Sequence, residues 1–150
     1  MVTETDLELG DGRTLHAYDT GANDANGRLA VFWHHGSPNI GAPPEPLFSV
    51  ADRFGIRWIS YDRPGYGGST PRPSRDVASA AADTSAVADA LSIDRFAVMG
   101  HSGGGSHALQ QFAEELITRK ATPFLHPFGN RTPDVLGSAK MVDQLFRETL

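Results

Sequence analysis

Cysteine is absent from the 150-residue chain. That excludes a disulfide framework, a thiolate zinc site and a cysteine nucleophile. No apolar run approaches the ~18 residues that a membrane-spanning helix needs, so no membrane association is expected. No lysine- or arginine-rich run offsets the formal net charge of −5, which argues against nucleic acid as a partner. The opening residues, Met1 to Glu8, are acidic and polar, unlike a basic and then apolar secretory signal. A cytoplasmic location is therefore expected. The chain does have 16 glycines and 10 prolines, more than average usage. They punctuate short apolar runs, as in one domain rich in sharp turns.

Thr5 to Leu9 alternates polar and apolar residues, Asp11-Gly12 is a hairpin signal, and Thr14 to Tyr18 returns as a second strand. Gly21 to Gly27 is a polar loop. Leu29 to Trp33 is apolar on both faces, which suits a buried parallel strand. Pro44 to Arg53 has helical spacing, with Gly55 as its stop. Ile56 to Tyr61 is the next strand. A helix is predicted from Ser74 or soon after it to Leu91. Arg95 to Met99 is another buried strand, and Gly103 to Lys120 another helix. This alternation predicts an α/β fold, a mostly parallel sheet of about five or six strands with helices on both faces. Beyond that, Thr122 to Pro127 reads as a short strand interrupted by prolines. Residues 129–134 read as a loop, and Val135 to Leu150 as a final helix with Leu136, Met141, Val142, Leu145 and Phe146 inward.

Three motifs carry chemistry. Gly100-His101-Ser102-Gly103-Gly104 fits G-x-S-x-G between a strand and a helix. A serine on such a turn exposes its hydroxyl, and the helix N-terminus behind it favours developing negative charge. Small residues two before and two after let strand and helix pass closely, so Gly100, Gly103 and Gly104 are all expected to be structurally required. The second motif, His34-His35-Gly36-Ser37-Pro38, ends an apolar strand. Acyl transfer needs two backbone N–H groups aimed at the oxyanion, and the amides of Ser37 and Gly103 fit that need. The histidine pair reads as loop structure or a mutual hydrogen bond. The third motif is the glycine-rich run from Tyr61 to Ser69, in which Asp62 and Arg63 read as a structural ion pair.

Together, over residues 3 to 112, these motifs resemble the α/β-hydrolase fold family, especially bacterial lipase, esterase and peptidase-like members with an H-G-x-P loop. The resemblance implies parallel strands after the first hairpin, Ser102 as nucleophile, and an oxyanion hole at Ser37 and Gly103. It also implies an acid and then a histidine further along the chain. Residues 1–120 would form the N-terminal portion of such a domain and 121–150 a divergent tail of the same domain. The implied activity is that of a serine hydrolase on an ester, amide or similar small-molecule substrate, with no cofactor and no metal.

The tail departs from the family's order. His107 and His126 are the histidines after Ser102, and none follows Asp134 or Asp143. His126 is the one late base and Asp134 the acid that would go with it. The contrasting reading is a truncated or degenerate domain that binds without turnover. Haloperoxidase-like and lyase chemistries share the scaffold, whereas serine at position 102 disfavours the aspartate-nucleophile branch. The strand ending at Gly100 is expected to be an open sheet edge, which is either covered by Thr122 to Pro127 or leaves the chain self-associating or unstable.

Overall fold

The computed structural model describes residues 1–21 and 28–118, with side chains through Gln111. Five strands form one sheet: β1 (Thr3–Glu8), β2 (Thr14–Asp19), β3 (Leu29–His34), β4 (Ile56–Tyr61) and β5 (Ala97–Gly100). Their order is β1-β2-β4-β3-β5. The β1–β2 hairpin and its junction with β4 are antiparallel; β4, β3 and β5 are parallel to one another. The sequence expectation of parallel strands after the first hairpin therefore holds.

Three helices complete the described fold: α1 (Phe48–Arg53), α2 (Ser79–Ala90) and α3 (Gly104–Thr118). The predicted helix from Pro44 divides. Proline at the start leaves a 3₁₀ turn over Glu45–Leu47 before α1, and Gly55, with φ 64°, ends it. The helix predicted near Ser74 begins later, at Ser79. Ser74 itself has φ 59°, outside the helical region, and the Asp76 carboxylate accepts the Ser79 amide at 2.8 Å, as a capping group does. β5 starts two residues after the predicted Arg95. Phe96 is buried in the core, but the ladder to β3 opens at Ala97, opposite Val31.

Strand alternation divides the core. Phe32, Ile59 and Val98 face α2 and α3, together with Val87, Phe96 and Ala108. Val31, Trp58 and Ala97 face the other side, against Val50 and Ala51 of α1. A buried ion pair joins β2 to β4: Arg57 donates to both Asp19 oxygens, at 2.9 and 2.7 Å. The sequence expectations beyond Thr118, including His126 and Asp134, lie outside the described residues. Among the described residues no helix is long and apolar enough to cross a membrane.

Candidate active site

The parallel ladder delivers the G-x-S-x-G run to the carboxyl edge of the sheet. Gly100 is the last residue of β5 and sits opposite His34 of β3. The His101 amide donates to the His34 carbonyl at 3.1 Å. The chain then reverses: the Gly104 amide reaches back to the His101 carbonyl at 2.8 Å, and Gly105 to Ser102 at 3.0 Å. Ser102 occupies the corner with φ 52°, a left-handed conformation costly for a non-glycine residue. A Cβ on Gly100 would run into the Gly104 carbonyl, and one on Gly104 into the His34 carbonyl. These two glycines let β5, α3 and β3 pack together. Gly103 differs from the expectation: a Cβ there meets nothing within 4 Å, so its lack of a side chain is no packing requirement. Ser102 is exposed at the surface.

The His34–Pro38 loop lies against this corner. A Cβ on Gly36 would stand 3.1 Å from both Ser102 Cβ and the His101 carbonyl oxygen, a tight contact, so the backbone of this loop runs close against the corner. Neither the Ser37 nor the Gly103 amide is taken up in a backbone hydrogen bond among the described residues. Beside the loop is a cleft of about 380 Å³ lined by Trp33, His35, Asn39, Ile40, Ala42 and Pro44.

The histidines have separate surroundings. His35 is neutral: Nδ1 donates to the Gly36 carbonyl at 2.8 Å, Nε2 accepts the Arg63 amide at 3.2 Å, and burial holds its pKa down. His34 is buried, and desolvation, followed by the neighbouring His107, Arg63 and His35, pushes its pKa down to about 3. His35 therefore serves as loop structure, bonded to Gly36 and Arg63, whereas His34 is the buried last residue of β3, and among the described residues the two rings share no hydrogen bond. His101 stacks on Trp33, ring centroids 6.2 Å apart at 13°. His107 is half-buried; desolvation and then Arg63 and Arg75 lower its pKa.

The Asp62–Arg63 ion pair expected from sequence is corrected. Among the described residues the two form no such pair. The buried Asp62 carboxylate instead accepts the Gly41 amide at 2.5 Å, the Gly68 amide at 2.8 Å and the Tyr18 hydroxyl at 3.3 Å. A Cβ on Gly67 would collide with that carboxylate. Arg63, also buried, donates to the His35 carbonyl. The loop after β4 thus clamps the loop after β3. Sequence reasoning missed this clamp, although a carboxylate next to a run of glycines, whose amides can approach closely, was its signal. It also missed Tyr66, whose hydroxyl lies 2.8 Å from Ser37 Oγ.

An open α/β sheet carrying a sharp strand-to-helix turn, with a glycine-rich loop against the serine at its corner, defines a class of fold and site. Residues 30–119 match the family model described as alpha/beta hydrolase fold, and the chain belongs to that family. It is 32% identical over 104 residues to a non-heme chloroperoxidase from Streptomyces lividans, covering 69% of this chain and 37% of that one. Among solved structures it is similar to a proline iminopeptidase-related protein from Thermus thermophilus (TM-score 0.61, 24% identity, 81% of this chain and 42% of that one). It is also similar to an epoxide hydrolase variant from Vigna radiata (TM-score 0.62, 19% identity, 95% and 46%). The chain thus spans less than half the length of each of these relatives.

Proposed function

We propose that the chain carries the nucleophilic part of a serine hydrolase site. Ser102 attacks the carbonyl carbon of an ester, amide or similar small substrate, and the Ser37 and Gly103 amides receive the charge that develops on its oxygen. One observation carries this reading: Ser102 stands at a left-handed corner between β5 and α3, with Gly36 against its Cβ. Serine at this corner sets the proposal apart from aspartate-nucleophile chemistry. We assign His126 as base and Asp134 as acid. Because Asp134 follows His126, against the family's order, slow hydrolysis of activated esters is the expected level, well below ~10 s⁻¹. A fluorophosphonate probe should label the wild-type chain and leave Ser102→Ala unlabelled. Equal labelling of the two would overturn the assignment.

A second reading, binding without turnover, draws on three of the five described histidines. His16 is engaged by two carboxylates, His35 uses both ring nitrogens, and His34 is buried. None of the three presents an acid-supported nitrogen to Ser102. Ester turnover lost in Ser102→Ala would exclude this reading. Stoichiometric labelling with no turnover would support it.

A further inference from the structure

The mechanism proposed above leaves Tyr66 unused, although its hydroxyl touches the loop that supplies one oxyanion amide. The ring is held on several sides. The His35 ring meets it edge-to-face, with centroids 4.9 Å apart at 70°. The guanidinium carbons of Arg63 and Arg75 lie 5.2 and 5.5 Å from its centroid, within cation–π range. Arg63 is fixed in turn: it is buried and donates to the His35 carbonyl, one residue before Gly36. Ser37 is the less constrained partner. It is exposed, and among the described residues its side-chain hydrogen bond is the 2.8 Å one to Tyr66.

We propose that Tyr66 is a positioning residue of the oxyanion hole: its hydroxyl, bonded to Ser37 Oγ, fixes the Ser37 peptide so that its N–H is held toward the reacting carbonyl oxygen. The inference rests on the reading of Ser102 as nucleophile. A donor fixed beforehand needs no reorganisation as charge develops, which is where such donors gain their effect. The phenol's ionisation gives the tether a pH signature. The Ser37 hydrogen bond, followed by Arg63 and Arg75, holds its pKa below the ordinary phenol value. The groups facing it are Arg63 from its own loop, Arg75 from the segment before α2, and His35 from the loop after β3. Asp62 spends its carboxylate on Gly41 and Gly68. A phenolate beside the hole opposes negative charge on the substrate oxygen, so reaction slows as Tyr66 ionises.

The test is the pH dependence of fluorophosphonate labelling by the full chain. It compares wild type, Tyr66→Phe, Ser37→Ala and the double variant, with phenol ionisation followed by ultraviolet difference absorbance. Each single change should slow labelling about three- to tenfold, the range expected for one lost hydrogen bond. The double variant should be no slower than the slower single, because both remove the same interaction. The alkaline fall in wild-type labelling should track phenol ionisation and vanish in Tyr66→Phe. Ser37→Ala breaks the same bond at an exposed position and answers the question if Tyr66→Phe melts early. Ser102-dependent labelling that is indifferent to both single changes, or additive losses, would overturn the positioning role alone. A wild-type chain labelled no faster than Ser102→Ala would overturn the nucleophile reading, and this inference with it.

Discussion

The two ends of the sheet handle their edges differently. β1, at one end, is exposed at five of its six residues and carries Glu4, Asp6 and Glu8. Charges repeated along a strand discourage pairing with another chain. β5, at the other end, is four residues long, with Ala97 and Val98 buried, and among the described residues it pairs on one side only, with β3. It is also the strand that ends in the Ser102 corner. The charged edge can change without reaching the chemistry; the apolar edge cannot. The contrast explains why glycines matter so unequally along the chain: at β5 they are points of backbone contact, whereas at the β1–β2 turn a Cβ on Gly10 meets nothing within 4 Å.

The largest effect expected from this contrast lies at the corner. Gly104→Val would push a side chain into the His34 carbonyl, and Gly100→Val into the Gly104 carbonyl. Each should cost more than ~2 kcal/mol, since overpacked contacts with backbone cannot relax by side-chain rotation. Gly10→Ala and Gly103→Ala enter open space and should stay within about 0.5 kcal/mol of wild type. Chemical denaturation of the four variants checks this. Similar losses at all four positions would erase the distinction between glycines at backbone contacts and glycines facing open space.

Much of the fold was legible because β3, β4 and β5 are short apolar runs bounded by turns, and period and length alone mark such segments. The Ser102 corner was legible because its backbone path demands small residues at fixed offsets. What escaped were contacts between distant loops. Nothing local in Asp62-Arg63 says that the carboxylate serves Gly41 and Gly68 while the guanidinium turns to His35; adjacency in sequence suggested an ion pair, and amide donors 21 and 6 residues away took the carboxylate instead. The later α2 start has a local reason instead. Helical spacing was visible from Ser74 onward, but a left-handed φ there and capping by Asp76 put the first turn at Ser79. The Asp19–Arg57 pair was invisible because it depends on strand order, which periodicity does not encode.

The β5 edge itself gives the next prediction. The expectation is that Thr122 to Pro127 covers it, that the chain self-associates through it, or that the chain is unstable; either of the first two would protect the β5 amides. Hydrogen exchange at Ala97 to Met99 should therefore be slow compared with the outer amides of β1, and light scattering separates the two cases. Met99→Lys places a charge on this partly buried edge and should shift a self-associating chain toward monomer. A monomer whose β5 amides exchange as fast as those of β1 would defeat both alternatives.

The smallest effect belongs to the charged edge and concerns pH. His16 of β2 places Nδ1 2.6 Å from the Asp6 carboxylate and Nε2 3.2 Å from that of Glu4, both on β1. The Asp6 hydrogen bond raises the imidazole pKa; partial burial opposes it, and Glu4 adds to the rise. The folded pKa thus lies above the ordinary value of 6.5. The protonated ring therefore favours the folded state: this stabilisation is fully present below pH 6.5 and lost as pH rises through the raised folded value. The side chains of Asp6 and Glu4 are 65% and 60% exposed, so solvent screening limits the contribution to under about 1 kcal/mol, and salt reduces it further. Thermal melts at low ionic strength should show wild-type stability falling across this window relative to His16→Gln, and added salt should shrink the difference. An unchanged slope in His16→Gln would mean that the β1–β2 hairpin is held by its ladder alone, and that the edge charges act only against outside partners.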